Sequence, residues 1–376
     1  MKKTIVLCLA VILMLTAAGC MNNVKDNENG SPVAGKKVAY IMQMAPSDIF
    51  TTWSEAAEKT ALSLGMEYDA FFCGGSDEEW KNTVEKCAAE GYDGLLLSHG
   101  GESYAYSFLS EITKKYPELK IVTFDTLFTA EDGGSRKIEG ITQFFQQDAG
   151  LTALSLDYII NELYPEKKEA GEPVNILKVW VGPGFLSAFD RREEGYKEYE
   201  ENGLIKTVET IAPSDFENAS SSAAAAAEAA LSKYAEGKID AVWCCYDLYA
   251  AGVFDALTEG GYDIPMVSID ISDSDIEKMS ASGSPWKACV TTNWSNNGEF
   301  GIRALALALA GEYDKITDPV TKTRSSYIEI PGIIVTQDMV AGKDANVQNL
   351  SEFAGEGYID RSFMPTSEWM DALLGN

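Results

Sequence analysis

Asp125 and Asp270 have the settings that most suggest chemistry. Each closes a short apolar run, Ile121-Val122-Thr123-Phe124 and Val267-Ser268-Ile269. A carboxylate at a strand end accepts hydrogen bonds from hydroxyl groups, and strand ends are where α/β sheets open their binding crevices. Either residue alone also reads as a helix N-cap. One in each half of the chain favours a shared ligand. Aromatic residues fall nearby: Phe50 and Trp53 after the first apolar run, and Trp180, Tyr246 and Trp294 at or near the ends of later ones. Flat rings stack on sugars or bases. Trp53 and Trp180 read more readily as core.

Catalytic chemistry finds little support. The single histidine, His99, lies in Ser98-His99-Gly100-Gly101. That segment is similar to an esterase oxyanion loop, but no second histidine is left for a triad and no G-x-S-x-G elbow occurs. Gly182-Pro183-Gly184-Phe185-Leu186-Ser187 approaches the dinucleotide turn, with Ser where Gly or Ala belongs. There is no P-loop, no HExxH and no paired-cysteine zinc signature. The expectation is a non-enzyme with no cofactor, no metal and no catalytic residues. Of the 7 cysteines, Cys73, Cys87, Cys244, Cys245 and Cys289 follow the N-terminal region without any CxxC pairing. Adjacent Cys244 and Cys245 in an apolar run suggest buried packing.

The elements that must position these residues alternate with regularity. Strands are expected at 38–42, 66–72, 94–98, 119–124, 174–181, 204–211, 241–245, 266–269 and 286–292, with another within 321–334. Helices are expected between them, at 53–64, from the capping box Ser76-Asp77-Glu78-Glu79 to Gly91, and at 104–115, 151–163, 190–202, 219–234, 248–257 and 298–310. Short apolar strands separated by helices imply parallel sheets covered on both faces. Two such blocks, 37–128 and 145–272, predict an α/β protein of two doubly wound parallel-sheet lobes.

The N-terminus reads as an export signal. Met1-Lys2-Lys3 precedes an uncharged apolar run and then Thr16-Ala17-Ala18-Gly19-Cys20. The apolar part is short for a membrane span. Small residues directly before a cysteine resemble a bacterial lipobox, with Cys20 as the lipidation site. Residues 20–36, rich in Asn, Asp, Gly and Ser, read as a flexible tether. The 376 residues carry 30 Lys and Arg against 58 Asp and Glu, a net charge of −28. That excludes a sequence-independent nucleic-acid binder and argues against docking on anionic lipid through basic patches.

Several segments together carry a resemblance. They are Lys37-Val38-Ala39-Tyr40-Ile41, Asp48-Ile49-Phe50-Thr51-Thr52-Trp53, the strand ending in Asp125, Arg192-Glu193-Glu194-Gly195-Tyr196, and the strand ending in Asp270. In combination they resemble the type I periplasmic binding proteins of the ribose/galactose-binding class, in lipoprotein form, over nearly all of residues 37–335. The resemblance implies two lobes joined by three crossovers, with ligand between them. It divides the chain into a signal peptide (1–19), tether (20–36), N-terminal lobe (37–128 plus 293–318), C-terminal lobe (129–292 plus 319–340) and C-terminal extension (341–376). Carried over, the pocket comprises Ser47, Phe50, Asp125, Asp190, Tyr246, Asp270, Thr292 and Asn293.

Departures concern the ligand. Ribose-type binders have Arg where this chain has Thr126 and Asp190, and Asn where it has Tyr246. Asp190 is closer to the autoinducer-2 type. The function implied is a monomeric, lipid-anchored extracytoplasmic binding protein delivering a small polar ligand, most simply a sugar, to ABC permease and ATPase subunits. Competing readings are a nucleoside- or autoinducer-2-type binding lipoprotein and a ligand sensor for a membrane receptor. An exported hydrolase is disfavoured by the histidine count.

Overall fold

The computed structural model describes residues 30–129, 136–319 and 321–375. The expected signal peptide, Cys20 and the tether up to residue 29 lie outside the described residues. Twelve strands are described: β1 (Lys37–Met42), β2 (Glu67–Phe72), β3 (Gly94–Ser98), β4 (Lys120–Phe124), β5 (Ile141–Gln146), β6 (Val174–Val179), β7 (Ile205–Ile211), β8 (Ala241–Cys244), β9 (Met266–Ile269), β10 (Trp286–Thr291), β11 (Tyr327–Ile330) and β12 (Ile333–Thr336). They form two six-stranded sheets, ordered β11-β5-β4-β3-β1-β2 and β12-β10-β9-β8-β6-β7. The first is parallel throughout. The second is parallel except for β12, which runs antiparallel to β10. The architecture is thus the two-lobed, doubly wound α/β fold expected. Strands β1–β5 and β6–β10 repeat one order, so β4 and β9 occupy equivalent places. Among the described residues, no helix is long and apolar enough to cross a membrane.

Helices cover both faces of each sheet, which is why β1, β3, β4, β8 and β9 are short apolar runs with little polar alternation. Close approach of covering helices selects glycine. A Cβ on Gly298, in helix Trp294–Leu309, would lie 2.0 Å from the carbonyl oxygen of Trp53 in helix Asp48–Ser63. In the second lobe, a Cβ on Gly252 would lie 1.9 Å from the carbonyl oxygen of Ser220.

The chain crosses between lobes three times: from β5 into helix Asp148–Tyr158, from β10 into helix Trp294–Leu309, and from β11 to β12. This revises the expected boundaries. Strand β5, assigned to the C-terminal lobe, is an inner strand of the first sheet. It reads poorly as a strand because Thr142, Gln143 and Gln146 interrupt its apolar residues, yet all six positions are buried. Gln143 Nε2 donates to Arg136 O at 3.0 Å and Gln146 Oε1 accepts from Thr292 Oγ1 at 2.9 Å, so burial is tolerated. The single late strand expected in the C-terminal lobe is two: β11 joins the first sheet and β12 the second.

The tether also ends earlier than expected. Val33 is fully buried and Ser31 Oγ donates to Leu64 O at 2.6 Å, so the body begins near residue 31. The helix expected at 151–163 is helical to Tyr158 and finishes in a π-helical turn, Ile159–Leu163. The C-terminal extension is a strap across the hinge. Val347, Leu350 and Tyr358 pack on the second lobe, while Met370 is buried in the first. Between them, Asn293 Nδ2 donates to Tyr358 O at 2.8 Å and Asn296 Nδ2 to Asp360 O at 3.3 Å.

Candidate functional site

Asp125 and Asp270 follow the equivalent strands β4 and β9 and have the same uncommon backbone, with φ of 47° and 69°. Left-handed conformations are costly for residues with a Cβ, and Asp tolerates them better than most. Each amide is still tied to the neighbouring strand: Asp125 N donates to Phe144 O at 3.0 Å and Asp270 N to Val290 O at 2.8 Å. The backbone then turns sharply. Neither residue caps a helix.

Both carboxylates meet arginines from the first turns of helix Ser187–Glu201. Arg191 Nη2 donates to Asp125 Oδ1 at 3.1 Å and to Asp148 Oδ2 at 2.6 Å. Arg192 Nε donates to Asp148 Oδ1 at 2.9 Å, its Nη2 to Asp270 Oδ2 at 2.9 Å, and its Nη1 to Cys245 O at 2.6 Å. Consecutive helical residues point in directions about 100° apart, so one helix serves both lobes. The result is a continuous chain, Asp125–Arg191–Asp148–Arg192–Asp270, which crosses from the first lobe to the second. Burial pushes the Asp148 carboxyl up, against the pull of Arg191 and Arg192. Burial alone would lower both guanidiniums, but the surrounding carboxylates outweigh it and hold them firmly charged. Two atoms of this chain, Asp270 Oδ1 and Arg191 Nη1, are buried with no hydrogen-bond partner. Unmet polar capacity of this kind is what a polar ligand satisfies.

His99 faces Asp125, with Nε2 3.6 Å from Oδ2, and its Nδ1 lies 2.7 Å from Ser98 Oγ. Burial lowers its pKa, partly offset by Asp125. The neutral ring fits a Ser98 hydroxyl donated to Nδ1 and an Nε2–H turned to Asp125. Phe50 packs edge-on against both His99 and Trp294, at 5.2 and 6.0 Å between ring centroids.

The expected pocket residues divide into three groups. Asp125 and Asp190 line an interlobe cavity of about 830 Å³, together with His99, Gly100, Gln43 and Phe185. Asp190 also accepts from the amide of Gly184, at 2.9 Å to Oδ2, which explains the glycine turn: it folds back onto a helix start. Phe50, Tyr246 and Asp270 lie behind this lining, with Phe50 and Tyr246 half-buried and Asp270 buried. The remaining three have local partners. Ser47 caps helix Asp48–Ser63. Thr292 is fully buried, donating to Gln146 and accepting from Asn297 Nδ2 at 2.7 Å. Asn293 caps helix Trp294–Leu309 and holds the strap. Thr292 and Asn293 therefore sit at a crossover. Trp53 is core, stacked on Tyr40 at 4.3 Å.

Sequence reasoning missed Asp148, which joins the two arginines, and two buried carboxyls in the second lobe, Asp247 and Asp275. Burial, together with the nearby Asp275 carboxyl, pushes Asp247 far above the usual carboxylate range. Asp275 is also raised, chiefly by burial. The adjacent Arg191-Arg192 pair on a helix opening at strand ends was the available signal.

Comparison with known proteins accords with this geometry. A family described as "Periplasmic binding protein domain" matches residues 38–313. No curated protein matches the chain. Among solved structures, a sugar ABC transporter from Yersinia enterocolitica subsp. enterocolitica 8081 is 26% identical, with a TM-score of 0.70 over 91% of this chain and 95% of its own. A 5-methylthioribose transporter solute binding protein from Thermotoga lettingae is 18% identical, with a TM-score of 0.69 over 92% and 99%. A periplasmic ribose ABC transporter from Conexibacter woesei is 18% identical, with a TM-score of 0.67 over 83% and 95%. Two equivalent sheets, three crossovers, paired strand-end aspartates and a match over most of the described body leave one assignment: the chain belongs to the periplasmic binding protein domain family.

Proposed function

We propose that the protein is an extracytoplasmic solute-binding lipoprotein that captures a sugar and delivers it to an ABC importer. The observation that carries this reading is the pair Asp125 and Asp270, one on each lobe, at equivalent strand ends and joined through Arg191, Asp148 and Arg192. Carboxylates accept hydroxyl protons and guanidiniums donate to hydroxyl oxygens, so the chain offers both halves of polyol recognition. Aromatic rings beside it supply the apolar face. A ligand inserted here touches both lobes and favours the closed arrangement by its differential affinity. Cys20 carries the lipid that keeps a monomeric body at the extracytoplasmic face of the cell membrane, where it meets the permease and its ATPase.

Titration with a panel of sugars and nucleosides, combined with solution scattering, tests the reading. A sugar is expected to raise the melting temperature by mass action and to shrink the radius of gyration. A panel in which only nucleosides bind, or binding with no change in scattering, defeats the sugar or the closure part respectively.

A further inference from the structure

We propose that the cleft has a second, outer subsite built on Phe185 and Phe216, and that the captured solute is a short saccharide of at least two rings. This rests on the sugar-binding reading above and deepens it. Phe185 and Phe216 are 46% and 50% exposed, yet their rings stack on each other at 4.6 Å with 28° between planes. Single exposed hydrophobic residues are ordinary, but a stacked pair at the mouth of a polar cleft marks a contact surface. They come from the loops after β6 and β7, the two strands at one edge of the second sheet. Inward from them the rings continue. Phe189 lies 6.2 Å from Phe185 and nearly parallel to it, and Tyr246 lies 5.5 Å from Phe189. A row of aromatic rings thus follows the carboxyl edge of the sheet from the rim to the charged chain at Asp270.

The opposite wall is polar. Phe185 and Leu186 line the same cavity of about 830 Å³ as Asp125 and Asp190, and across it the first lobe presents Gln43 and Asp77. These follow β1 and β2, the matching outer strands of the first sheet. Asp77 Oδ1 is fixed by the Tyr104 hydroxyl at 2.8 Å and Gln43 Nε2 at 3.1 Å. The outer end therefore pairs an aromatic face with oriented hydrogen-bonding groups. The inner end has the same kinds of group: His99 and Asp125 line it, with Phe50, Tyr246 and Asp270 behind them. A sugar ring has one C–H face and a rim of hydroxyls, so each end suits one ring and the continuous cavity suits two in line.

Calorimetric titration of the full chain with glucose, galactose and ribose, and with maltose, cellobiose and lactose, tests this. At least one disaccharide is expected to bind about tenfold or more tighter than its component monosaccharides, the size of one good stacking contact. Phe216→Ala, at a ring outside the cavity lining, should remove that increment while leaving monosaccharide affinity and melting temperature unchanged, and Phe185→Ala should remove it as well. Phe185→Tyr should retain it. Monosaccharide binding with every disaccharide excluded, or a disaccharide preference indifferent to both alanine variants, overturns the subsite. If no saccharide of either length binds, the sugar reading itself falls and the subsite with it.

Discussion

Removing the Asp125 carboxylate leaves Arg191 Nη2 bonded to Asp148, whereas removing that of Asp270 leaves Nη2 of the more deeply buried Arg192 without its acceptor, although Arg192 Nε stays on Asp148. The two substitutions should therefore separate binding from stability. Asp125→Ala is expected to weaken sugar binding by about 1.5–3 kcal/mol, or about ten- to a hundredfold, with little change in melting temperature. Asp270→Ala should weaken binding and also lower the melting temperature, because Arg192 keeps Asp148 and Cys245 O but its buried Nη2 loses the acceptor it has in Asp270. Calorimetry and thermal melts on both variants check this; equal melting temperatures would show that Arg192 does not need Asp270. The Asp247–Asp275 pair predicts a pH effect. Both carboxyls are raised in the folded state, so the pair's contribution to stability is full below the ordinary Asp pKa of about 3.9. It is lost as pH rises through the raised values. Asp247→Asn keeps the acceptor for the Leu248 amide and removes the second charge. Its melting temperature relative to the native protein should rise as the pH climbs above the ordinary Asp value of about 3.9; a constant offset would contradict the raised pair. At this scale the sequence exposed the residues that end apolar strands. It hid Asp148, Asp247 and Asp275, because a carboxyl's partner lies tens of residues away.

Elements are legible where burial is one-sided or complete, and opaque where polar residues are buried in pairs. The apolar runs of β1, β3, β4 and β9 announce parallel strands. Strand β5 does not, because its Gln143 and Gln146 are acceptable inside only once Arg136 O and Thr292 are in place. The same holds for Thr292, whose hydroxyl looked available to ligand and is spent on the crossover. Helix pairing yields its own prediction. Gly298→Ala forces helix Trp294–Leu309 away from helix Asp48–Ser63 and should cost about 1–3 kcal/mol. The shift in denaturant midpoint measures it, and a midpoint within error of the native value would refute the close approach.

For the whole molecule, two repeated blocks are visible in the alternation of strands and helices, and the two sheets follow from them. What the alternation does not convey is which lobe each late segment rejoins, since β11 and β12 lie only two residues apart and enter different sheets. The C-terminal strap was equally hidden: its hydrophobic residues are divided between two cores. The cysteines carry a consequence for how this body comes apart. All five within the described residues are free and buried: Cys73 and Cys87 belong to the first lobe, and Cys244, Cys245 and Cys289 to the second. Burial holds the Cys87 thiol up at about 11 and that of Cys245 at about 12, so neither forms a thiolate readily while the fold is closed. Each lobe thus contains its own silent chemical clock. In a Cys20→Ala protein, maleimide labelling followed by mass spectrometry should proceed only as fast as each lobe opens, giving two lobe-specific rates from one chain. Bound sugar should slow both together if the lobes unfold as a unit, and should leave one unchanged if a lobe can melt alone.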